Sequence, residues 1–307
     1  MKVVALSIMM GAVAVLAGCE ATGGGAADTL HGADAGQDVG SLDAGPTPDA
    51  GGVTPDFSPP ASRLSLELAD WGLSFTGTIY GAPPASWHTE AGRDGQCRLL
   101  TYTPEFCDPI CEYPEVCAAG KCVGQPPLAD AGTLTLTGFG DAITIAPSFP
   151  GSYFWQTEAL KPKDAGPTLT LTSAGGDVPA FTLSVAPVTA PVPSGDWSAQ
   201  LAARKKSEDV TLAWAATPGA RISLRMTTGI GTHGGISPTE IECEGPDVGS
   251  LRLPGAWLDA LYAEGWSCGE CGGNDLWRYR AAATEADPRV QLRVQARASF
   301  HHHPNLH

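Results

Sequence analysis

Beyond residue 60, apolar side chains recur at every second position through most of the chain. Leu64, Leu66 and Leu68 alternate with polar neighbours, and Leu73, Phe75 and Ile79 repeat the pattern around Gly72 and Gly77. Successive side chains of a strand point to opposite faces, so this period marks strands with one buried side. The same signature predicts strands at 97–102, 133–137, 143–145, 168–172, 181–185, 210–214 and 221–225. Four more follow at 240–243, 250–253, 276–280 and 290–294. They recur roughly every ten residues with Gly, Pro and Asp between them, as in an antiparallel sandwich. One helix is predicted after Pro254, where Trp257, Leu258, Leu261 and Tyr262 share a face and Gly265 ends the run. No helices alternate with the strands to cover a parallel sheet. The fold class is all-β: an antiparallel β-sandwich region with an inserted small disulfide-rich module and one short helix.

The first 60 residues follow a different pattern. Lys2 precedes an apolar run from Val3 to Ala17, and small residues lead to Cys19. That run is too short for a bilayer core about 30 Å thick, which needs about 20 helical residues. A charged start, a short apolar stretch and small residues are the marks of a secretory signal. Leu16-Ala17-Gly18-Cys19 resembles the lipobox of bacterial lipoproteins. The resemblance implies lipidation of Cys19, removal of residues 1–18 and the membrane as a partner through acyl chains. Two or more chains hold stably where one does not, at about 0.8 kcal/mol per buried CH₂. Glu20, in place of the aspartate that favours inner-membrane retention in the best-known sorting scheme, leans the same resemblance towards the outer membrane. An ordinary signal peptide with an incidental cysteine is the plainer alternative.

Residues 19–60 are Gly, Ala, Asp and Pro with almost nothing to bury, so they read as a disordered tether. As a random coil its ends would lie roughly 35 Å apart. It carries seven acids (Glu20, Asp28, Asp34, Asp38, Asp43, Asp49 and Asp56) and no Lys or Arg, part of a formal charge of -15. Such a balance argues against nucleic acid as a partner, since phosphate binding relies on Lys and Arg. N-terminal β-strands occupy 61–104, the cysteine module 105–125, the β-sandwich region 126–300 and a His-containing tail 301–307.

Of nine cysteines, Cys19 apart, eight remain, and an even set in an exported chain argues for disulfides before metal. Cys107, Cys111, Cys117 and Cys122 fall within sixteen residues, too short a piece to bury a core without covalent staples. An alternating pairing, Cys107 with Cys117 and Cys111 with Cys122, is preferred, although spacing does not choose among the three connectivities. Cys97, Cys243, Cys268 and Cys271 then form two bridges. Either Cys243 joins Cys268 and Cys97 joins Cys271, or Cys268 joins Cys271 and Cys97 joins Cys243. Cys107-Asp-Pro-Ile-Cys111 and Cys117-Ala-Ala-Gly-Lys-Cys-Val123 resemble the short cysteine-rich module of predicted myxobacterial lipoproteins. Gly175-Gly-Asp-Val-Pro-Ala-Phe181 and Ile241-Glu-Cys243 with Asp247 to Pro254 also resemble recurring features of that group. This likeness implies a compartment and a fold, with no assigned activity.

Candidate chemistry is sparse. Cys268-Gly-Glu-Cys271 has C-x-x-C spacing, but Gly272-Gly273-Asn274 follow instead of a helix, which favours a structural bridge. Gly229-Ile-Gly-Thr-His-Gly234 matches a dinucleotide fingerprint by letter, yet a strand pattern follows. His301, His302 and His303 are weak metal candidates at a tail, and Cys243, Cys268, Cys271 and His233 an equally weak zinc set. No cofactor is predicted. There is no G-x-S-x-G elbow, and His88 is a lone loop histidine. Tyr153, Phe154 and Trp155, between Pro/Gly turns, are candidates for an exposed aromatic binding patch; the competing reading is a plug at the end of the sandwich.

The sequence therefore predicts an exported lipoprotein at the cell envelope with a non-catalytic structural or binding role. An envelope polysaccharide or protein is its possible partner. The alternatives are a secreted glycosidase-like β-sandwich hydrolase with loop carboxylates and an envelope carbohydrate-binding module. Two carboxyls about 5–10 Å apart in one cleft would favour the hydrolase.

Overall fold

The computed structural model describes residues 57, 62–84, 88–102, 107–112, 115–118, 120–227, 237–263, 274–285 and 290–300. These belong to one compact unit, Gly51–His307. The fold is all-β with two short helices. In chain order the strands are β1 (Ser62–Ala69), β2 (Gly72–Thr78), β3 (Thr89–Asp94), β4 (Cys97–Thr101), β5 (Val116–Ala118) and β6 (Lys121–Val123). Then come β7 (Leu134–Thr137), β8 (Ile143–Ile145), β9 (Pro147–Phe149), β10 (Ser152–Thr157), β11 (Leu169–Ser173) and β12 (Phe181–Val185). Helix α1 (Trp197–Ala203), β13 (Val210–Ala213), β14 (Arg221–Thr227), β15 (Thr239–Pro246), β16 (Ser250–Leu253), α2 (Gly255–Ala263), β17 (Asn274–Ala283) and β18 (Val290–Phe300) complete it.

Ten strands form one long sheet in the order β3-β4-β15-β14-β17-β18-β1-β2-β10-β9. Its inner face carries two cores side by side. At one end, Leu64, Leu66 and Leu68 of β1 and Leu292, Val294 and Ala296 of β18 pack with a four-stranded sheet, β12-β11-β7-β8. At the other, Ile222, Leu224 and Met226 of β14 and Ile241 and Cys243 of β15 pack with the β13/β16 ribbon and both helices. Side chains along each strand point alternately to the two faces, so polar residues between the inner apolar ones stand on the outer face, some of them buried there, as Arg293 between Leu292 and Val294.

The sheet is mixed where an antiparallel sandwich was expected. β1 pairs with β18 in parallel, Ser65 opposite Arg293, because the first and last strands of the fold lie side by side and run the same way. Helix α1 was also unforeseen. Its seven residues offer only two buried positions, Trp197 and Leu201, and its one clear signal is Asp196, which accepts the Ala199 N–H as N-cap. Helix α2 lies where Pro254 and the Trp257–Tyr262 face place it, with Leu258 and Leu261 buried. Phe57, assigned by sequence to the tether, is buried beneath the guanidinium groups of Arg93 and Arg98, 5.0 and 4.6 Å from its ring.

The seam between the two cores is polar. Arg278 of β17 and Asp247, just after β15, are both buried and pair at 2.6 Å. Asp247 also accepts the Trp214 indole N–H at 2.7 Å and the backbone N–H groups of Thr217 and Gly249. Arg278 donates onward to the carbonyls of Thr189, Ala190 and Ala215. A loop after β12, the turn after β13 and two strands thus meet at a single ion pair.

Three disulfides are present among the described residues. Cys107–Cys117 and Cys111–Cys122 staple the module, whose strands β5 and β6 pair with Cys117 opposite Cys122. Cys97–Cys243 joins register partners of β4 and β15 inside the second core. Of the two arrangements considered for the other cysteines, the one with Cys243 bonded to Cys268 and Cys97 to Cys271 is therefore incorrect.

Candidate binding site

The outer face of the long sheet carries the opposite phase of the strand alternation. From β15 it takes Glu240, Glu242 and Glu244, while Ile241 and Cys243 point inward. From β14 it takes Arg221, Ser223 and Arg225. β17 adds Trp277 and Tyr279, and β18 adds Arg293, Gln295 and Arg297. Arg63 and Ser65 of β1 and Arg98 and Leu100 of β4 complete the surface. Strand order, not sequence proximity, brings these groups together.

The acids of this face are paired. Arg225 clasps Glu240 with two hydrogen bonds of 2.8 Å, and His88 lies 3.3 Å from the same carboxylate. Arg98 holds Glu242 through its Nε and one terminal nitrogen, at 2.8 and 2.6 Å. Glu244 accepts the Tyr279 hydroxyl at 2.5 Å, with Arg221 at 3.8 Å and Arg293 at 3.4 Å. Forked guanidinium–carboxylate pairs are the stronger kind of hydrogen bond because charge and geometry match.

Arg293 differs. It is 4% exposed, and its guanidinium stacks 3.6 Å over the Tyr279 ring. Its ion contact to Glu244 is long, at 3.4 Å, and its Nε meets no partner among the described residues. Its register partners across the sheet, Ser65 and Ala281, carry no charge. Burial pulls Arg293 below the ordinary arginine pKa, and the like charge of Arg63 adds to the effect. Burial also pushes the Tyr279 hydroxyl above its usual value. A cavity of about 470 Å³ opens over this region, with Arg63, Arg98, Arg225 and Arg293 facing Glu240 and Glu242. Trp277, Leu100 and Pro84 supply apolar wall, and Ser65, Ser223 and Gln295 supply neutral hydrogen-bonding groups.

His88, read from the sequence as a lone loop histidine, lines this cavity beside Glu240; the other residues singled out by sequence lie elsewhere. Tyr153, Phe154 and Trp155 belong to β10 and do not make an exposed aromatic patch. Strand alternation buries Tyr153, whose hydroxyl meets Asp130, Ala131 and Gly132, and Trp155 packs on the first core; Phe154 alone is well exposed. Cys243 cannot lend a thiolate to a zinc set, since its sulfur is bonded to Cys97. The sulfurs of Cys107, Cys111 and Cys122 lie close together because two disulfides cross there. Cys19, His233, the 229–234 glycine motif, Cys268, Cys271 and His301–His303 lie outside the described residues. The outer-face arginines and glutamates escaped sequence reasoning. Their signal, polar residues at i and i+2 of each strand, was visible, but the strand order that assembles them was not.

No protein-family model matches the chain, and no curated protein sequence matches it. Among solved structures, one concerned with host cell surface retention of a 1.5-MDa bacterial ice-binding adhesin is similar at a TM-score of 0.18 and 8% identity. That overlap covers 80% of this chain and 65% of the other, just under two thirds of its length. A second, a Ca²⁺-stabilized adhesin with which an Antarctic bacterium binds ice, gives a TM-score of 0.19 and 11% identity over 79% of this chain and 74% of that one. Scores of this size are too low to mark a common fold.

Proposed function

We propose that the chain is an exported protein held at the cell envelope, at the outer membrane, through lipid on Cys19, and that it has a non-catalytic binding role carried by the outer sheet face. The observation that carries the address is the set of three disulfides, one of them inside a core, because such bonds persist in oxidising compartments. The Leu16–Cys19 resemblance supplies the anchor, and the tether from Cys19 up to the buried Phe57 would lift the folded unit off the membrane. A partner that is a polysaccharide or protein of the envelope suits an open charged face better than a catalytic cleft.

The hydrolase reading has one observation in its favour. Glu240 and Glu242 share the outer face of one strand and line one cavity, their backbones roughly 7 Å apart, a spacing that allows two carboxyls the separation glycosidases use. Both carboxylates, however, are clasped by arginines. Their oxygens are thus engaged by side chains of the same sheet and not presented to a glycosidic oxygen. The binding reading is therefore preferred.

Intact-mass analysis of membrane-extracted protein, before and after reduction and alkylation, tests the proposal. It expects a chain starting at Cys19, added acyl mass, and the described cysteines oxidised. An unprocessed chain, or reactive thiols at Cys97 and Cys243, would overturn it.

A further inference from the structure

Most charged groups in the described residues have a partner, and the buried ones have several. Asp247 and Arg278 show what full satisfaction looks like, with partners for both oxygens and every guanidinium nitrogen. Arg293 is buried to the same degree without that satisfaction. Desolvating a guanidinium is costly unless charge and hydrogen bonds replace water. Its neighbours supply this only in part: Glu244 Oε2 accepts from one terminal nitrogen at 3.4 Å, but Ser65 and Ala281 are neutral, Arg63 repels, and the buried Nε has no partner among the described residues. The two acids that line the cavity are already engaged by Arg225 and Arg98. The cavity is left with more cationic than anionic groups, inside a protein that is acidic as a whole.

We propose that this cavity binds an acidic saccharide, with a sugar carboxylate seated between Arg63 and Arg293. The inference rests on the reading of the outer face as a binding surface, and it names the ligand class. The carboxylate would add a second counter-charge beside the long Glu244 contact, and its planar oxygens match the guanidinium fork. The remaining wall explains why a bare ion is not the fit. At about 470 Å³ the space is of the size that holds small organic ligands. Ser65, Ser223 and Gln295 offer hydroxyl and amide partners for sugar hydroxyls, and Trp277, whose ring carries the Arg297 guanidinium 5.3 Å from its centroid, adds apolar wall.

Titration calorimetry of the full chain, with its disulfides intact, tests this with trigalacturonate, neutral maltotriose and inorganic sulfate. The expected result is saturable, salt-sensitive binding of trigalacturonate and none of maltotriose. Arg63→Gln, at an exposed position, is expected to weaken binding about fivefold, and Arg293→Lys, which keeps the charge but loses the fork, about tenfold. Circular dichroism establishes that each variant is folded. Absence of saturable trigalacturonate binding overturns the proposal. So does equal affinity in wild type and Arg63→Gln, equal binding of maltotriose, or sulfate binding as tightly as the trisaccharide. These outcomes are independent of the Cys19 mass measurement, so a failed cavity and a failed anchor are told apart.

Discussion

Asp247→Ala is the most informative single perturbation of the fold. The substitution removes the counter-charge of Arg278, which is 3% exposed, and strips the acceptor from Trp214, Thr217 and Gly249. Breaking a buried pair by removing one partner costs about 3–5 kcal/mol, because the other charge is left in a medium that does not solvate it. Each orphaned neutral donor adds about 1–3 kcal/mol unless water enters. These costs overlap, so a loss of about 5 kcal/mol is expected for Asp247→Ala. Asp247→Asn, which keeps an oxygen for Trp214 and Gly249, should lose about 3 kcal/mol on the same reasoning. In a domain of this size 1 kcal/mol moves the midpoint by about 2–4 °C, so thermal unfolding followed by circular dichroism resolves both.

The decisive variant is the double replacement Asp247→Leu with Arg278→Met. A buried ion pair that serves only itself can be exchanged for apolar side chains at little cost. This one also satisfies three N–H groups on the Asp247 side and three carbonyls on the Arg278 side. The double variant should therefore stay destabilised by about as much as either single change, a strongly non-additive cycle. If it regains wild-type stability to within about 1 kcal/mol, the pair is not the hydrogen-bonding hub of the seam.

Three further expectations concern the scaffold. Replacing Cys97 and Cys243 together opens a loop 146 residues long and should cost up to about 5 kcal/mol in the loop-entropy account; urea unfolding that shows no loss would place their contribution elsewhere. Burial raises the Tyr153 hydroxyl to about 12, so its stabilising effect is full below the ordinary tyrosine value of 10.0 and is lost as pH rises through the folded value. Tyr153→Phe should flatten the fall in stability above pH 10, and an unchanged slope would refute the assignment. A methyl at Gly77 would approach the Arg63 carbonyl oxygen to 2.6 Å and the Leu64 Cα to 2.8 Å, so Gly77→Ala should destabilise the β1/β2 pair by about 1–3 kcal/mol in chemical denaturation.

The strands were largely legible because burial of one face writes a period of two into the sequence. β12 matches its predicted bounds, Phe181–Val185, residue for residue. Elements without that period were missed. β3 is Thr-Glu-Ala-Gly-Arg-Asp, an edge strand with no buried residue. β10 alternates Tyr153 inward and Phe154 outward, but three adjacent aromatics conceal the period. The parallel β1/β18 pair joins residues more than two hundred apart, and nothing local records it. The same blindness hid the cavity. Arg63, Arg98, Arg225 and Arg293 stand on four strands that only the sheet order brings to one face, and each alone reads as a solvated surface charge.

That topology also makes one substitution act in opposite directions on stability and binding. Elsewhere on the outer face an arginine meets an acid across the ladder, as Arg98 meets Glu242, its register partner. Arg293 meets Ser65, in parallel register, where a carboxylate would complete the pattern. Ser65→Glu supplies that carboxylate from the protein itself. It should raise stability by about 1 kcal/mol, the scale of a partly buried pair, and the melting point by about 2–4 °C. The same carboxylate would occupy the place proposed for the sugar acid and should abolish trigalacturonate binding. A position that merely tolerates serine would show neither effect, and a site selected for an external anion shows both, since binding sites commonly keep strain that a more stable sequence would remove. Greater stability with undiminished binding would mean that the ligand sits elsewhere on the sheet. Lower stability would mean that Arg293 is already compensated, and the premise of an unanswered charge would fall.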